Sequence, residues 1–490
     1  MMPRCLLLAL LSISLLPAQE PDALADSVRK ILDVYAIARE NHADPVDSTR
    51  LFYEGIIPGL LRRLDPHSVF LDPGQFDQLK RMQRSESKGF GSVVSILPGR
   101  VQVLQAIPGA PLAKAGISAG DEILAINNIA LGPLTTEQLT QVLSQARQAP
   151  ATVYVRKPGN ARPIQFTLIP EEMQSSSVER AFLLQPGYGY LRVSSFDDKT
   201  AKDIQAGIEK LGGHGLAGLV LDLRNNPGGV VASAIDTASL FLNPGQTILS
   251  ARGRRMNGEE KVPATAKPYR FRLAVLVNAK SASASEIVAG ALQDHDRATI
   301  LGEPTFGKGL VQNVLPISQS TGLALTMALY YTPSGRSIQK PLVDMQLEHV
   351  TATPRQEYKT DAGRIVRGGG GIDPDQAVTP PPYKRLEMVL DASGAYAAFG
   401  TEYLRAERPA IAPGWQLPKP LLDRFRSWLS QNNIQPGIAE WFASSDWIEH
   451  RLRQEIINLS LGVEEGDKVE AEREPWIVAA LATLTSAPAP

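Results

Sequence analysis

The chain has 490 residues, 43% of them apolar and 21% charged, a length that suits about three globular domains. Its formal charge of −1 leaves no basic footprint for nucleic acid, and no run reaches the roughly 18 consecutive apolar residues of a membrane span. A single cysteine excludes a disulfide framework and a cysteine-rich metal site.

At the N-terminus Arg4 precedes the apolar run Cys5 to Leu16, and Pro17-Ala18-Gln19-Glu20 follows. A positive start, a short apolar stretch and a small residue before polar chain read as a secretory signal peptide. Residues 1–18 are expected to be removed after Ala18, taking Cys5 with them, and the remainder is expected in the periplasm or outside the cell. Peripheral contact with the membrane stays open, and nothing in the sequence bears on oligomeric state.

Residues 19–85 read as a helical N-terminal region. Leu24, Val28, Ile31, Leu32 and Tyr35 form one helical stripe. Leu51 to Leu64 is a second apolar stretch that Pro58 is expected to break or kink, and Leu64-Asp65-Pro66-His67-Ser68 reads as a turn.

Residues 86–171 read as a small β-rich module. Lys88 to Val94 is a glycine-punctuated loop entering a strand, and Val101-Gln102-Val103 alternates as a strand does. Gly109 to Ile117 reads as turn, short helix and glycine stop, Gly120 to Asn127 as turn and strand. Val153 and Val155 with Ile164, Phe166 and Leu168 suggest a closing hairpin. The module resembles a PDZ domain over its full length, with Gly-Phe-Gly-Ser where that family usually has Gly-Ile-Gly-Ala. The resemblance implies that Gly89, Phe90, Gly91 and Ser92 bind the C-terminal carboxylate of a peptide, which adds a strand to the sheet edge.

Residues 172–383 alternate strands and helices. Ala217 to Leu223 and Leu273 to Asn278 are apolar runs of the kind buried on both faces of a parallel sheet. Helices are expected near 230–242 and 284–294, and a further strand from Thr321 to Tyr331. Gly368 to Gly371 is a four-glycine turn with no assigned chemistry. Residues 384–490 show helical patches at Leu421 to Leu429 and Trp447 to Leu461, and the charged stretch 464–474 reads as solvated surface.

The chemistry centres on Ser283 and Lys308. Ser283 lies where the strand ending at Asn278 turns into a helix starting near Ala284. A serine there is either a cap or an exposed nucleophile beside unsatisfied helix N–H groups. Arg224 to Gly229 follows the buried strand 217–223 at its carboxyl end, where open α/β sheets place ligands. Gly229, or alternatively Gly228, can present an N–H without side-chain obstruction, making an oxyanion hole with the Ala284 N–H. Gly302-x-x-x-x-Gly307-Lys308 matches a phosphate loop until Gly309, which should be Ser or Thr. The following residues read as extended, so no nucleotide is expected. Flanking glycines instead let the lysine pack closely and lose its charge, as a general base must. Asp294 and His295 lie about three helical turns after Ser283, roughly 16 Å at 1.5 Å per residue, too far to complete a Ser–His–Asp triad within that helix.

These motifs together resemble the carboxy-terminal processing peptidases, secreted serine proteases carrying a PDZ domain. They comprise Leu64 to Ser68, the PDZ module, Leu223 to Gly229, Ser281-Ala-Ser283-Ala-Ser285-Glu286, Gln293-Asp294 and Gly302 to Gly309 with Gln312. The resemblance implies that Ser283, the middle serine, is the nucleophile and Lys308 its base, that Gln312 orients the lysine, and that Asp294 has a supporting role. It implies a mixed α/β and α+β multidomain fold, with a crotonase-like core into which the PDZ domain is inserted. The expected activity is cleavage of the C-terminal tails of extracytoplasmic proteins, with no cofactor, metal, nucleotide or nucleic acid. A PDZ adaptor that holds tails without cutting them is the alternative. A crotonase-type acyl-thioester enzyme is a third reading, which leaves the PDZ module and signal unexplained.

Overall fold

The computed structural model describes residues 23–84, 86–97, 99–160, 162–174, 176–347 and 355–486. The expected signal peptide, with Cys5, lies outside them. The chain divides into two compact units, one up to Arg62 and one from Arg63 onward.

In the smaller unit the expected stripe forms the helix Ala23–Asn41. The second helical stretch runs from Ser48 to Arg62, and Pro58 does not break it. A proline lacks an N–H and crowds the carbonyl four residues before it. The backbone takes it in by widening into a π-turn over Leu51–Ile56, where the Ile57 N–H reaches back to the Phe52 carbonyl.

In the larger unit, residues 63–84 belong with the α/β core rather than with the N-terminal helices. Val69–Leu71 is a strand, paired antiparallel with Gly322–Tyr331, and only Pro73–Gln83 is helical. The β-rich module is an antiparallel sheet of Ser92–Leu97, Arg100–Ala106, Glu122–Ile126, Ala151–Arg156 and Ile164–Leu168 around Val101, Val103, Leu139 and Val153. Its helix Thr136–Ala146 is absent from the sequence reading, although Thr135 and Gln138 cap each other at its start.

The core is a six-stranded sheet in the order Val178–Gln185, Tyr188–Val193, Gly218–Asp222, Arg272–Val277, Thr299–Gly302, Gln376–Ala377. All pairs but the first are parallel. One face packs on Thr200–Leu211, Val231–Ser239 and Ala284–Asp294, and beyond them on an antiparallel sheet that holds Leu310–Pro316 and Gly322–Tyr331. Ala284–Asp294 is therefore buried along its whole length, which its small residues Ala284, Ser285, Ala289, Gly290 and Ala291 permit. Strands 218–222 and 272–277 both end beside this helix's start, so the sheet's carboxyl edge, the Asn225–Gly229 turn and Ser283 meet there.

The second sheet face is covered by the C-terminal region through Trp476, Ile477, Ala480 and Leu484. The stretch 464–474 is only partly the solvated surface expected from its charges: Glu464, Glu472 and Arg473 are exposed, but Asp467, Val469 and Ala471 are buried. Its helix is Val463–Ala471, and two of its acids meet arginines of the core, Asp467 pairing with Arg180 at 2.9 Å and Glu474 with Arg224 at 2.8 Å.

Candidate active site

Ser283 caps the Ala284–Asp294 helix with φ +54° and ψ −111°, a backbone conformation that non-glycine residues rarely adopt. Such a residue costs about 1–3 kcal/mol and persists only when its surroundings enforce it. Gly228 is part of that enforcement. A Cβ there would lie 2.7 Å from the Ala282 carbonyl oxygen and 2.9 Å from both the Ala284 nitrogen and Ser283 Cβ, so only glycine lets the two turns touch.

The three serines of the motif do different things. Ser281 Oγ donates to the Leu223 carbonyl at 2.8 Å and accepts from the Asn278 N–H at 2.9 Å. Ser285 Oγ donates to the Asn226 carbonyl at 3.0 Å. Both are fully buried ties that sew the serine turn onto the 223–226 turn. Ser283 is partly exposed, and its hydroxyl has no hydrogen-bond partner among the described residues.

Glu286, quoted in the motif but given no role by sequence, ties the two halves of the candidate site together. Its buried carboxylate accepts from the N–H groups of Ser283 at 2.8 Å and Lys308 at 2.9 Å through Oε2. Through Oε1 it accepts from the Gly307 N–H at 2.7 Å and the Thr305 hydroxyl. Burial pushes its pKa up against the pull of these four donors. A Ser-x-x-Glu spacing at a helix start is a capping signature, so the bond to Ser283 was within reach of sequence; the bonds 22 residues on were not.

Lys308 is partly buried, and desolvation lowers its pKa against the opposing influence of Asp65 and Glu286. Its Nζ donates to Gln312 Oε1 at 2.6 Å, and Gln312 Nε2 donates to the His67 carbonyl at 2.6 Å. The second bond fixes the amide's orientation and leaves its oxygen to the lysine. His67 is presented by Asp65, which accepts from the N–H groups of His67 and Ser68 at 2.8 and 2.9 Å and from Ser68 Oγ at 2.6 Å. No hydrogen bond joins Ser283 Oγ to Lys308 Nζ. Lys308 leads into the strand Leu310–Pro316, not a helix, so the loop lacks the helix that a phosphate site requires.

The N–H groups of Gly229 and Ala284 have no acceptor among the described residues. The Gly228 N–H is already given to Asn226 Oδ1 at 2.9 Å, so the alternative oxyanion donor is excluded in this arrangement. A cavity of about 530 Å³ opens beside these groups, lined by His67, Leu71, Phe196, Gly229, Gln312 and Val314 among others. Asp294 is elsewhere. It is buried, bound to Arg336 at 2.7 Å and to the Ser334 N–H at 3.0 Å, and holds the 332–336 turn. His295 pairs with Asp361, away from Ser283.

In the β-rich module, Gly89 to Ser92 border a second cavity of about 150 Å³ with Val94, Ile107, Leu112, Leu143, Arg147 and Met173. Gly91 has φ +70°, and a Cβ there would sit 2.1 Å from Ala110 Cβ. Its N–H has no acceptor among the described residues.

Residues 187–349 match the family model "Peptidase family S41", and residues 102–157 match that of the PDZ domain. The chain is 37% identical over 317 residues to a carboxy-terminal-processing protease of Bartonella bacilliformis, covering 63% of this chain and 71% of that protein. It is 35% identical over 297 residues to a carboxyl-terminal-processing protease of Synechocystis, covering 58% and 68% respectively. Among solved structures it is similar to a photosystem II D1 C-terminal processing protease at 30% identity, with a TM-score of 0.38, over 64% of this chain and 84% of that one.

Proposed function

The chain belongs to peptidase family S41, among its carboxy-terminal processing proteases, and on that premise we propose that it cuts protein tails with a Ser283–Lys308 dyad outside the cytoplasm. Membership makes it a serine-type peptidase with a PDZ domain acting on protein substrates, and sets the adaptor and acyl-thioester readings aside.

The observation that carries the dyad is the Glu286 carboxylate, which holds the backbones of Ser283 and Lys308 on one oxygen. Neutral Lys308 gives one N–H to Gln312 and keeps its lone pair for the Ser283 proton. As a substrate seats, the missing hydrogen bond between them forms, as such bonds often do only in the Michaelis complex. Ser283 Oγ bonds the scissile carbonyl carbon while Lys308 takes its proton. The oxyanion lies between the N–H groups of Gly229 and Ala284. The C–N bond then breaks, the amine leaves with the proton from Lys308, and an ester remains on Ser283. Water, deprotonated by Lys308, hydrolyses that ester and restores the serine.

Tail capture is assigned to the PDZ cavity. Apolar Val94, Ile107, Leu112 and Leu143 suit an apolar terminal side chain, and the unpaired Gly91 N–H suits its carboxylate. Export is supported by Arg4, the apolar run to Leu16 and Ala18. Kinship with the crotonase fold is supported by the parallel strand–helix units between Tyr188 and Gly302.

The test is cleavage of an unstructured polypeptide with an apolar tail by chain 19–490 and its serine variants. Ser283→Ala should lose turnover by orders of magnitude and keep its melting temperature. Ser281→Ala should keep the chemistry but lose about 1–3 kcal/mol of stability, because it strips the Asn278 N–H of its acceptor, whereas Ser285→Ala should keep the chemistry and lose about 0.5–1.5 kcal/mol, because the Asn226 carbonyl still receives the Ala282 N–H. Near-normal turnover by Ser283→Ala would sink the assignment.

A further inference from the structure

The four-glycine turn that sequence left without chemistry packs against the loop that carries Lys308. Gly371 has φ +86°, and a Cβ there would lie 2.6 Å from the Thr305 carbonyl oxygen and 2.7 Å from Thr305 Oγ1. Only glycine lets the chain pass that close. The next residue then exchanges two hydrogen bonds with Thr305: the Ile372 N–H donates to Thr305 Oγ1 at 2.7 Å, and the Thr305 N–H donates to the Ile372 carbonyl at 3.1 Å. Thr305 and Ile372 are both fully buried.

The direction of these bonds has a chemical consequence. A hydroxyl that receives an N–H points its own proton elsewhere, and here that proton meets Glu286 Oε1. Glu286 thus receives four donors: the N–H groups of Ser283, Gly307 and Lys308, and the Thr305 hydroxyl. That number fills the roughly four acceptor positions of an ionised carboxylate. Three of the four are backbone donors that cannot turn away. Without the hydroxyl, a buried carboxylate loses one of the bonds that offset its desolvation. That loss also leaves an open position on Oε1 where the hydroxyl stood, so rotation of the carboxylate away from the Ser283 and Lys308 N–H groups is no longer opposed on that side.

We propose that Thr305, held by the Gly371–Ile372 turn, is a positioning residue for this peptidase, its hydroxyl locking Glu286 in the orientation that keeps Ser283 and Lys308 in register. The proposal rests on the Ser283–Lys308 reading, and it gives the four-glycine turn a purpose. Thr305 touches neither substrate nor reacting atoms and acts through Glu286.

The test is steady-state cleavage of one peptide by Thr305→Val and Thr305→Ser, with Ser283→Ala in the same assay. Valine keeps the shape and removes the hydroxyl; serine keeps the hydroxyl and removes a methyl. Thr305→Val should lose about tenfold or more in kcat, with KM within about twofold because the tail sites are untouched. Thr305→Ser should stay within about threefold of the parent in kcat. Should Thr305→Val fail to fold, Thr305→Ala against Thr305→Ser gives the same contrast. If Ser283→Ala is inactive while the hydroxyl-free variants match Thr305→Ser, the positioning role is wrong and the dyad stands. If Ser283→Ala remains active, the dyad falls and the proposal falls with it.

Discussion

Lys308 sits among groups that pull its titration in opposite directions. Burial lowers its pKa from the usual 10.5, while the charges of Asp65 and Glu286 favour the ammonium; burial wins. Only the neutral amine can take the Ser283 proton, so kcat/KM should rise with pH through this lowered value and level off above it. His67 can add a limb only on the acid side. Burial and the charge of Lys308 hold its pKa below 6.5. Replacing Asp65 by Asn removes a negative charge that favours the ammonium. The limb should therefore move to lower pH in Asp65→Asn, even if the plateau falls because the turn presenting His67 to Gln312 is disturbed. A pH–rate profile of both proteins on an uncharged peptide reads this directly. A limb that stays put, or moves up, would mean that the titrating base is not Lys308.

At the scale of elements, the PDZ module and the core contribute separable steps. A substrate carboxylate at the Gly89–Ser92 loop would make charge-assisted hydrogen bonds worth roughly 1.5–3 kcal/mol each. Amidating the tail should therefore weaken cleavage of a long peptide by about tenfold or more, since 1.4 kcal/mol is one decade. Peptide chemistry is a cleaner probe than bulk at Gly91, where a side chain would run into Ala110 Cβ at 2.1 Å and disturb the loop itself. Equal rates for the free acid and the amide would show that the module does not read carboxylates. What sequence made legible follows the range of the interaction. Strands 218–222 and 272–277, the helix after Ser283 and the extended run after Lys308 are local patterns, and they stand as read. Pro58 does not end the helix, because a π-turn over Leu51–Ile56 lets it continue into the proline, and sequence does not show that accommodation. Gly228 looked like a free donor because the Asn226 side chain that takes its N–H is visible only in three dimensions. Glu286 joins segments 22 residues apart, and no local spacing encodes its bonds to Gly307 and Lys308. Charges at 464–474 looked solvated because sequence does not distinguish an exposed acid from one paired across a fold.

Over the larger unit, the C-terminal region touches both working parts. Gln102 Nε2 of the PDZ module donates to Thr401 Oγ1 at 3.2 Å, and a Cβ at Gly394 would lie 2.7 Å from Leu97 Cδ1. Further on, Trp476, Ile477, Ala480 and Leu484 close the second face of the core sheet, and Glu474 holds Arg224, which also grips Asp222 at the end of the strand leading to the Asn225–Gly229 turn. Asp467 makes this docking weaken as pH rises. Burial pushes its pKa up to about 6 despite its contact with Arg180, with Glu470 and Glu179 adding to the rise. The ordinary value is 3.8. The folded state therefore binds the proton more tightly than the unfolded chain. Below about pH 4 both states carry it and the stabilisation is fully present. Between about pH 4 and 6 the unfolded chain releases it first, so stability from this group falls with rising pH and is gone above the folded value. Asp467→Asn cannot titrate. The melting temperature of the parent minus that of Asp467→Asn should thus decrease from pH 4.5 to pH 7, whatever the other carboxylates contribute, because they are common to both. A difference that is flat across that range, or that grows, would place the Asp467 pKa at or below its ordinary value and make the Arg180 pair a conventional stabilising bridge.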